Sequence, residues 1–147
     1  MKRTLCAGSI LGGLLLAWGV ASAGGIGISE PWIRHIPGRP SAGYFQLHND
    51  SGDPVRLVGA ESPAFGKVML HRTRDKGGST RMEHVDAIEV SPGETLRFAP
   101  GGYHLMLMQP RRELAVGETV SLTLRFAEAG ERTIEFPVRP PYARGPE

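Results

Sequence analysis

The chain of 147 residues has almost no thiol chemistry, because Cys6 is its single cysteine. A disulfide framework and a cysteine-rich zinc cluster both need several cysteines, so the sequence excludes both. The net charge is also small, since 17 Lys and Arg and 15 Asp and Glu give a formal charge of +2. A charge this small gives no electrostatic basis for binding nucleic acid, and we expect no nucleic-acid partner.

Long apolar runs are absent from the sequence except at the N-terminus. There, two basic residues precede the uncharged stretch Leu5–Val20, which leads to Ala21-Ser22-Ala23. This order is typical of a cleavable secretory signal peptide, so we expect residues 1–23 to be removed on export. The alternative is an uncleaved anchor helix over Thr4–Ala23.

Cleavage after Ala23 would leave a domain with neither a thiol nor a net charge. Cys6 would be lost, and it precedes the apolar segment rather than following it, which argues against a lipid-attachment site. Loss of two basic residues from the total of 17 would leave 15, which equals the 15 acidic residues. We therefore expect the mature domain to work outside the cytoplasm without disulfide or thiolate chemistry.

Glycine and proline, present in 20 and 12 copies, separate short segments in which apolar residues alternate with polar ones. Alternation of this kind between turn residues predicts strands, and about eight or nine short strands predict a β-sandwich. We expect the domain to span residues 24–139, with residues 140–147 as a short, loose C-terminal tail. The predicted strands are Ile26–Arg34, Ala42–His48, Val55–Ala60, Lys67–Thr73, Arg81–Val90, Glu94–Phe98, Tyr103–Met108, Thr119–Phe126 and Glu131–Val138.

Histidine and methionine are concentrated in one part of the chain. Seven of the nine that follow residue 23 lie within residues 69–108. They form three short segments in which His and Met stand two residues apart, and residues i and i+2 of a strand share a face. Each segment can therefore present imidazole and thioether donors side by side. The segments are Met69-Leu70-His71, Met82-Glu83-His84 and His104-Leu105-Met106-Leu107-Met108.

The type of donor selects the metal. Thioethers are soft and neutral, and they favour Cu(I) over hard cations. Zinc sites use Cys, His and carboxylates rather than Met, and a blue-copper electron-transfer centre needs a Cys thiolate. The donors therefore indicate Cu(I). A metal-free sandwich, in which the methionines only fill space, is the alternative from the residues alone.

The spacing of four of these residues resembles the signature of the periplasmic copper chaperones called PCu(A)C. Ten residues separate His71 from Met82, twenty-one separate Met82 from His104, and one separates His104 from Met106. The likeness extends over Ile28–Val138. Segments similar to strands of that family are Pro31–Arg34, Gly43–Asn49, Gly101–Met108 and Leu122–Phe126.

The resemblance implies a cupredoxin-like Greek-key β-sandwich that holds one Cu(I). It implies delivery of copper in the periplasm to cytochrome oxidase assembly, at the dinuclear copper centre. The expected partner is the copper-accepting oxidase subunit or a thiol-bearing copper chaperone, with membrane contact only through that partner. The ligands that it implies are His71, Met82, His104 and Met106. Further candidates beside them are Met69, His84 and Met108, with His84 relevant to Cu(II).

A carrier is expected rather than an enzyme, because two His and two Met complete a four-coordinate Cu(I) site and leave no position for a substrate. Copper buffering without a dedicated acceptor is one alternative. A copper oxygenase that uses an N-terminal His as a ligand is another, but the expected new N-terminus is Gly24. Some members of the family hold Cu(II) with a His/Met-rich tail, and residues 140–147 contain neither residue.

Overall fold

The computed structural model describes residues 25–147, so the expected signal peptide lies outside the described residues. The regular secondary structure within residues 25–147 consists of ten strands, which confirms the prediction of an all-β fold. No helix within residues 25–147 could cross a bilayer. The strands are β1 (Ile26–Arg34), β2 (Ser41–Asn49), β3 (Val55–Glu61), β4 (Phe65–Lys76), β5 (Ser79–His84), β6 (Ile88–Val90), β7 (Thr95–Phe98), β8 (Tyr103–Pro110), β9 (Thr119–Phe126) and β10 (Gly130–Arg139).

The strands form two layers that are joined along one seam. The first layer runs in the order β5-β4-β8-β7-β2-β1, and the second continues as β10-β9-β3-β6. The seam is a parallel pairing of β1 with β10, whereas the long neighbouring pairs within each layer are antiparallel. Neighbours in space are mostly not neighbours in sequence, as in a Greek key. The predicted cupredoxin-like β-sandwich is thereby confirmed.

The two layers bury their apolar faces against each other. Strand β9 shows why, because every second residue of Val120–Phe126 is buried while the residues between them are more exposed. At the centre of the core, Phe45 stacks on Phe98 with ring centroids 4.2 Å apart and meets Phe136 edge-on at 5.9 Å. Because one face of each layer packs in the core, the opposite face can present polar side chains and metal-binding groups such as imidazoles and thioethers.

The prediction of one strand over Arg81–Val90 is wrong, because the chain divides there into β5 and β6. Strand β5 pairs with β4 at one end of the sheet order, and β6 pairs with β3 at the other end. The burial patterns explain the division, since all six residues of β5 are exposed whereas β6 buries Ile88 and Val90. The segment therefore crosses from the edge strand of one layer to the edge strand of the other, where Ile88 and Val90 join the core.

The prediction of a loose C-terminal tail is wrong for Ala143, which is buried against Trp32 and Tyr44. The ring centroids of these two aromatic residues lie 4.6 Å apart, and they form a small cluster separate from the main core. Residues after β10 thus cover part of the outer face of the first layer. Tyr44, which this cover contacts, has its ring centroid 6.4 Å from that of His104.

Candidate metal centre

The His/Met segments meet on the outer face of β5, β4 and β8. Leu70 and Leu105 are opposite each other in the β4–β8 ladder and both are buried in the core. The next pair along, His71 and His104, must point to the other face because side chains alternate along a strand. Strand pairing therefore assembles residues that are 33 positions apart in sequence into direct neighbours.

Three histidines form a row across the three strands. His71 on β4 lies opposite His104 on β8 and opposite His84 on β5. The His71 ring centroid lies 5.8 Å from that of His104 and 5.8 Å from that of His84. The structure thus places His71 between a buried and an exposed imidazole.

The methionines lie diagonally on either side of this row. Met106 lies two residues beyond His104 on β8, and Met82 lies opposite Thr73 on β5. Met82, His104 and Met106 line one cavity of about 110 Å³. Met82 is 59% exposed, so it forms the solvent side of the group. The four residues that the resemblance implied as ligands therefore lie in one neighbourhood.

The further candidates have different placements. Met69 lies directly opposite Met106 in the β4–β8 ladder, on the side of the row away from Met82. Met108 lies opposite Lys67 and lines a separate, larger cavity of about 430 Å³. His84 lies at the exposed edge of the histidine row. Met108 is thus the candidate that the structure separates from the group.

The imidazole nitrogens have the hydrogen-bonding pattern that a metal ligand requires. His104 Nδ1 donates to the carbonyl oxygen of Gly102 at 3.2 Å, which leaves Nε2 with the lone pair. That Nε2 is buried without a partner, and so are both ring nitrogens of His71. Buried polar atoms without partners cost about 1–3 kcal/mol each, so a bound cation would relieve an existing penalty.

Burial also keeps both imidazoles in the form that binds metal. Desolvation lowers the pKa of His71, and the neighbouring His104 and His84 lower it further. Desolvation also lowers the pKa of His104, against an opposing effect of the Gly102 hydrogen bond, and the Arg34 guanidinium adds to the lowering. Neutral imidazole is the ligand form, so neither residue needs to lose a proton to bind copper near neutral pH.

We expect the metal-free protein to lose stability as the pH falls from about 7.5 to about 5. The pKa values of His71 and His104 are lowered in the folded state, so the unfolded state binds more protons below its histidine pKa of about 6.5. The free energy of unfolding should therefore fall with pH over this window. The measurement is urea unfolding at several pH values.

The matched variants for that measurement are His71→Gln with His104→Gln, and His48→Gln as the control. His48 Nδ1 forms a hydrogen bond with Thr95 Oγ1 at 2.8 Å, on another part of the sheet. The double variant should have a flatter pH dependence, and the control should keep that of the wild type. A double variant as steep as the wild type would contradict the assignment.

Imidazoles and carboxylates alone do not supply three or more ligands to one ion in the described part of the chain. No three His, Cys, Asp or Glu side chains within residues 25–147 converge closely enough to hold an ion. A site with more than two side-chain ligands at this face therefore needs its thioethers, and thioethers select a soft cation such as Cu(I). The geometry fits the donor set that the sequence indicated.

Two neighbours of the group were not predicted as site residues. The Tyr44 ring centroid lies 6.4 Å from that of His104, and the Tyr44 hydroxyl accepts a hydrogen bond from Arg34 at 2.9 Å. Both residues line the cavity shared by Met82, His104 and Met106. Alternation places Tyr44 on the outer face of β2, but only the pairing of β2 with β8 shows what it contacts.

The β-sandwich is similar to solved structures of PCuAC domains. The apo PCuAC domain of PmoF2 superposes with a TM-score of 0.70 at 31% identity, covering 83% of this chain and 95% of that domain. The solution structure of Cu(I)-DR1885 from Deinococcus radiodurans has a TM-score of 0.61 at 33% identity, covering 78% of this chain and 76% of that one.

Sequence similarity gives the family. Residues 26–138 match the family described as "Putative lipoprotein LpqE-like". "Putative lipoprotein Lxx21020" of Leifsonia xyli subsp. xyli is 31% identical over 118 residues, which is 80% of this chain and 71% of the relative. The chain belongs to the LpqE-like family, and its fold is that of the PCuAC domains.

Proposed function

We propose that this protein is a periplasmic copper chaperone that binds one Cu(I) through His71, Met82, His104 and Met106. The observation that carries the proposal is the set of buried imidazole nitrogens without partners, beside two thioethers at one cavity. The similarity to DR1885, whose structure was solved with Cu(I), supports the choice of metal. The four ligands are neutral, so the bound ion keeps its single positive charge.

The arrangement suits a carrier better than an enzyme. Four protein ligands occupy the coordination positions of Cu(I), which leaves none for a substrate. Met82 is the exposed ligand, on the edge strand β5. A thiolate or imidazole of an acceptor can therefore displace its thioether while His71 and His104 still hold the ion from β4 and β8. Stepwise exchange of this kind releases copper without freeing it into solvent.

The proposed acceptor is the copper-binding subunit of cytochrome oxidase, at its dinuclear centre, or a thiol-bearing chaperone that serves it. The signal-like N-terminus supports a periplasmic location, and a relative named as a lipoprotein supports an envelope protein. We propose that the protein contacts the membrane only through this acceptor. Because the expected mature chain lacks cysteine, the reduction of an acceptor disulfide would fall to another protein.

Delivery is tested by deleting the gene and measuring cytochrome oxidase activity in cells grown with little copper. We expect oxidase activity to be lost at low copper and restored by added copper or by the wild-type gene. Complementation with Met82→Ala plus His104→Ala should fail, whereas Met108→Ala, whose side chain lines a different cavity, should restore activity.

The same strains distinguish the alternatives. A buffering protein would leave oxidase activity intact at low copper and reduce growth at high copper. A metal-free interaction module would be complemented equally well by the double ligand variant and by Met108→Ala. Either result would contradict delivery through these ligands.

A further inference from the structure

The histidine row runs from solvent to the interior. The His84 side chain on the edge strand β5 is 49% exposed, whereas His104 on β8 is 4% exposed. His71 lies between them, half-buried, with its ring 5.8 Å from each of the others by centroid distance. Only the two inner members of the row belong to the proposed Cu(I) site, so that site gives His84 no role.

The hydrogen bonds of His84 prepare it as a ligand. Its Nε2 lies 3.1 Å from the Asp86 carboxylate, so the protonated nitrogen faces that carboxylate and Nδ1 keeps the lone pair. A carboxylate behind a histidine fixes the tautomer and raises the basicity of metal-binding imidazoles. His71 has no hydrogen-bond partner on either ring nitrogen. His71 can therefore form a pair of imidazole donors with His84 on its solvent side, as it can with His104 on its interior side.

The fixed charges also differ between the two ends of the row. Asp86 places a negative charge beside His84 at the exposed end. Arg34 lies near His104 at the buried end, where its charge opposes protonation of that imidazole. This difference in charge favours the approach of a cation at the His84 end.

We propose that His84 and His71 form an outer copper position, through which Cu(I) enters and leaves the four-ligand site. This inference rests on the proposed function. Copper moves inward when the bond to His84 breaks and bonds to His104 and to the thioethers of Met82 and Met106 form, while His71 stays bound. Release is the reverse, after a donor of the acceptor has displaced the Met82 thioether. Both imidazoles are neutral and the ion stays Cu(I), so no electron or proton is transferred. A neutral imidazole has one lone-pair nitrogen, so His71 serves one ion at a time.

The outer position should have a low affinity for Cu(I), because it has few ligands. It offers two imidazoles and no thioether at the same level of the sheet, since Met82 lies opposite Thr73. A low affinity allows the ion to move on to the inner ligands or out to an acceptor. His84 should therefore affect the rates of loading and release more than the final affinity.

The first test is stopped-flow loading of the full mature domain with Cu(I) under anaerobic conditions, followed by release to a chelator. For His84→Ala we expect both rates to fall about tenfold, the size of effect typical for partners of metal sites, with equilibrium affinity unchanged. His48→Ala is the matched control, because His48 is bonded to Thr95 elsewhere on the sheet. Loading and release rates for His84→Ala equal to those of the wild type would overturn the outer position.

The second test uses His104→Ala, in which only the outer position keeps both imidazoles. We expect residual Cu(I) binding in this variant. Its affinity should fall by more than about 10-fold when His84→Ala is added, because removal of a ligand costs at least as much as removal of a ligand's hydrogen-bond partner. A residual affinity that does not depend on His84 would also overturn the inference. The proposed function fails separately, and the outer position with it, if the wild type does not bind Cu(I).

Discussion

His104→Ala is expected to lower the affinity for Cu(I) by more than about 100-fold. Loss of a mere hydrogen-bond partner of a ligand typically costs about 10- to 100-fold in metal affinity, and loss of the ligand itself should cost more. His104 is also the most buried of the candidate ligands, at 4% exposed. Water therefore cannot easily take the place of its Nε2. The measurement is an anaerobic competition titration against a chromophoric Cu(I) chelator.

Met82→Ala should weaken Cu(I) binding as well, but by less than His104→Ala. Its thioether lies on the solvent side of the group, where another donor can approach. Met108→Ala is the matched control, since it removes a thioether from the same strand as Met106 but from a different cavity. Equal affinities for the wild type, Met82→Ala and His104→Ala would mean that copper binds elsewhere or not at all.

Phe45→Ala is expected to lower the free energy of unfolding by about 3–5 kcal/mol. Phe45 is buried and contacts two other aromatic rings, stacking on Phe98 and meeting Phe136 edge-on. Its removal leaves a cavity between the two layers, and the surrounding strands can close it only in part. Domains of this kind are typically stable by about 5–15 kcal/mol, so the variant should lose a large fraction of its free energy of unfolding.

The measurement for Phe45→Ala is chemical unfolding of the metal-free protein, with Val116→Ala as the control. Val116 is an exposed apolar residue, and its truncation should change stability by less than about 0.5 kcal/mol. A Phe45→Ala variant as stable as Val116→Ala would contradict the packing described for the core. Saturating Cu(I) should stabilise the folded form of both variants, because the ligands assemble only in the folded state.

The sequence was sufficient to predict the class of fold, because period-two alternation reports which residues face a core. Strand β9 coincides with its predicted bounds for this reason. The division of Arg81–Val90 was not predictable, since alternation shows that a face is buried but not which layer buries it. The contact of Ala143 with Trp32 and Tyr44 was also hidden, because it depends on a tertiary neighbour rather than on local pattern.

The candidate site was also predictable from the sequence only in part. Spacing of His and Met within each segment predicted shared faces, and a family resemblance indicated which residues act together. Neither could give the β4–β5 and β4–β8 registers that place His71 between His84 and His104. The position of Arg34 and its hydrogen bond to Tyr44 likewise depend on strand order. The assignment of the four ligands stays a prediction until copper is measured in the protein.

X-ray absorption at the copper edge tests the central claim most directly, applied to the mature domain loaded anaerobically with one equivalent of Cu(I). We predict a cuprous edge and a mixed shell of two imidazole nitrogens and two thioether sulfurs. The sulfur contribution should fall by half in a Met106→Leu variant, which keeps a side chain of similar volume. A copper shell without sulfur, or one unchanged in that variant, would contradict the assignment of His71, Met82, His104 and Met106 as the copper site.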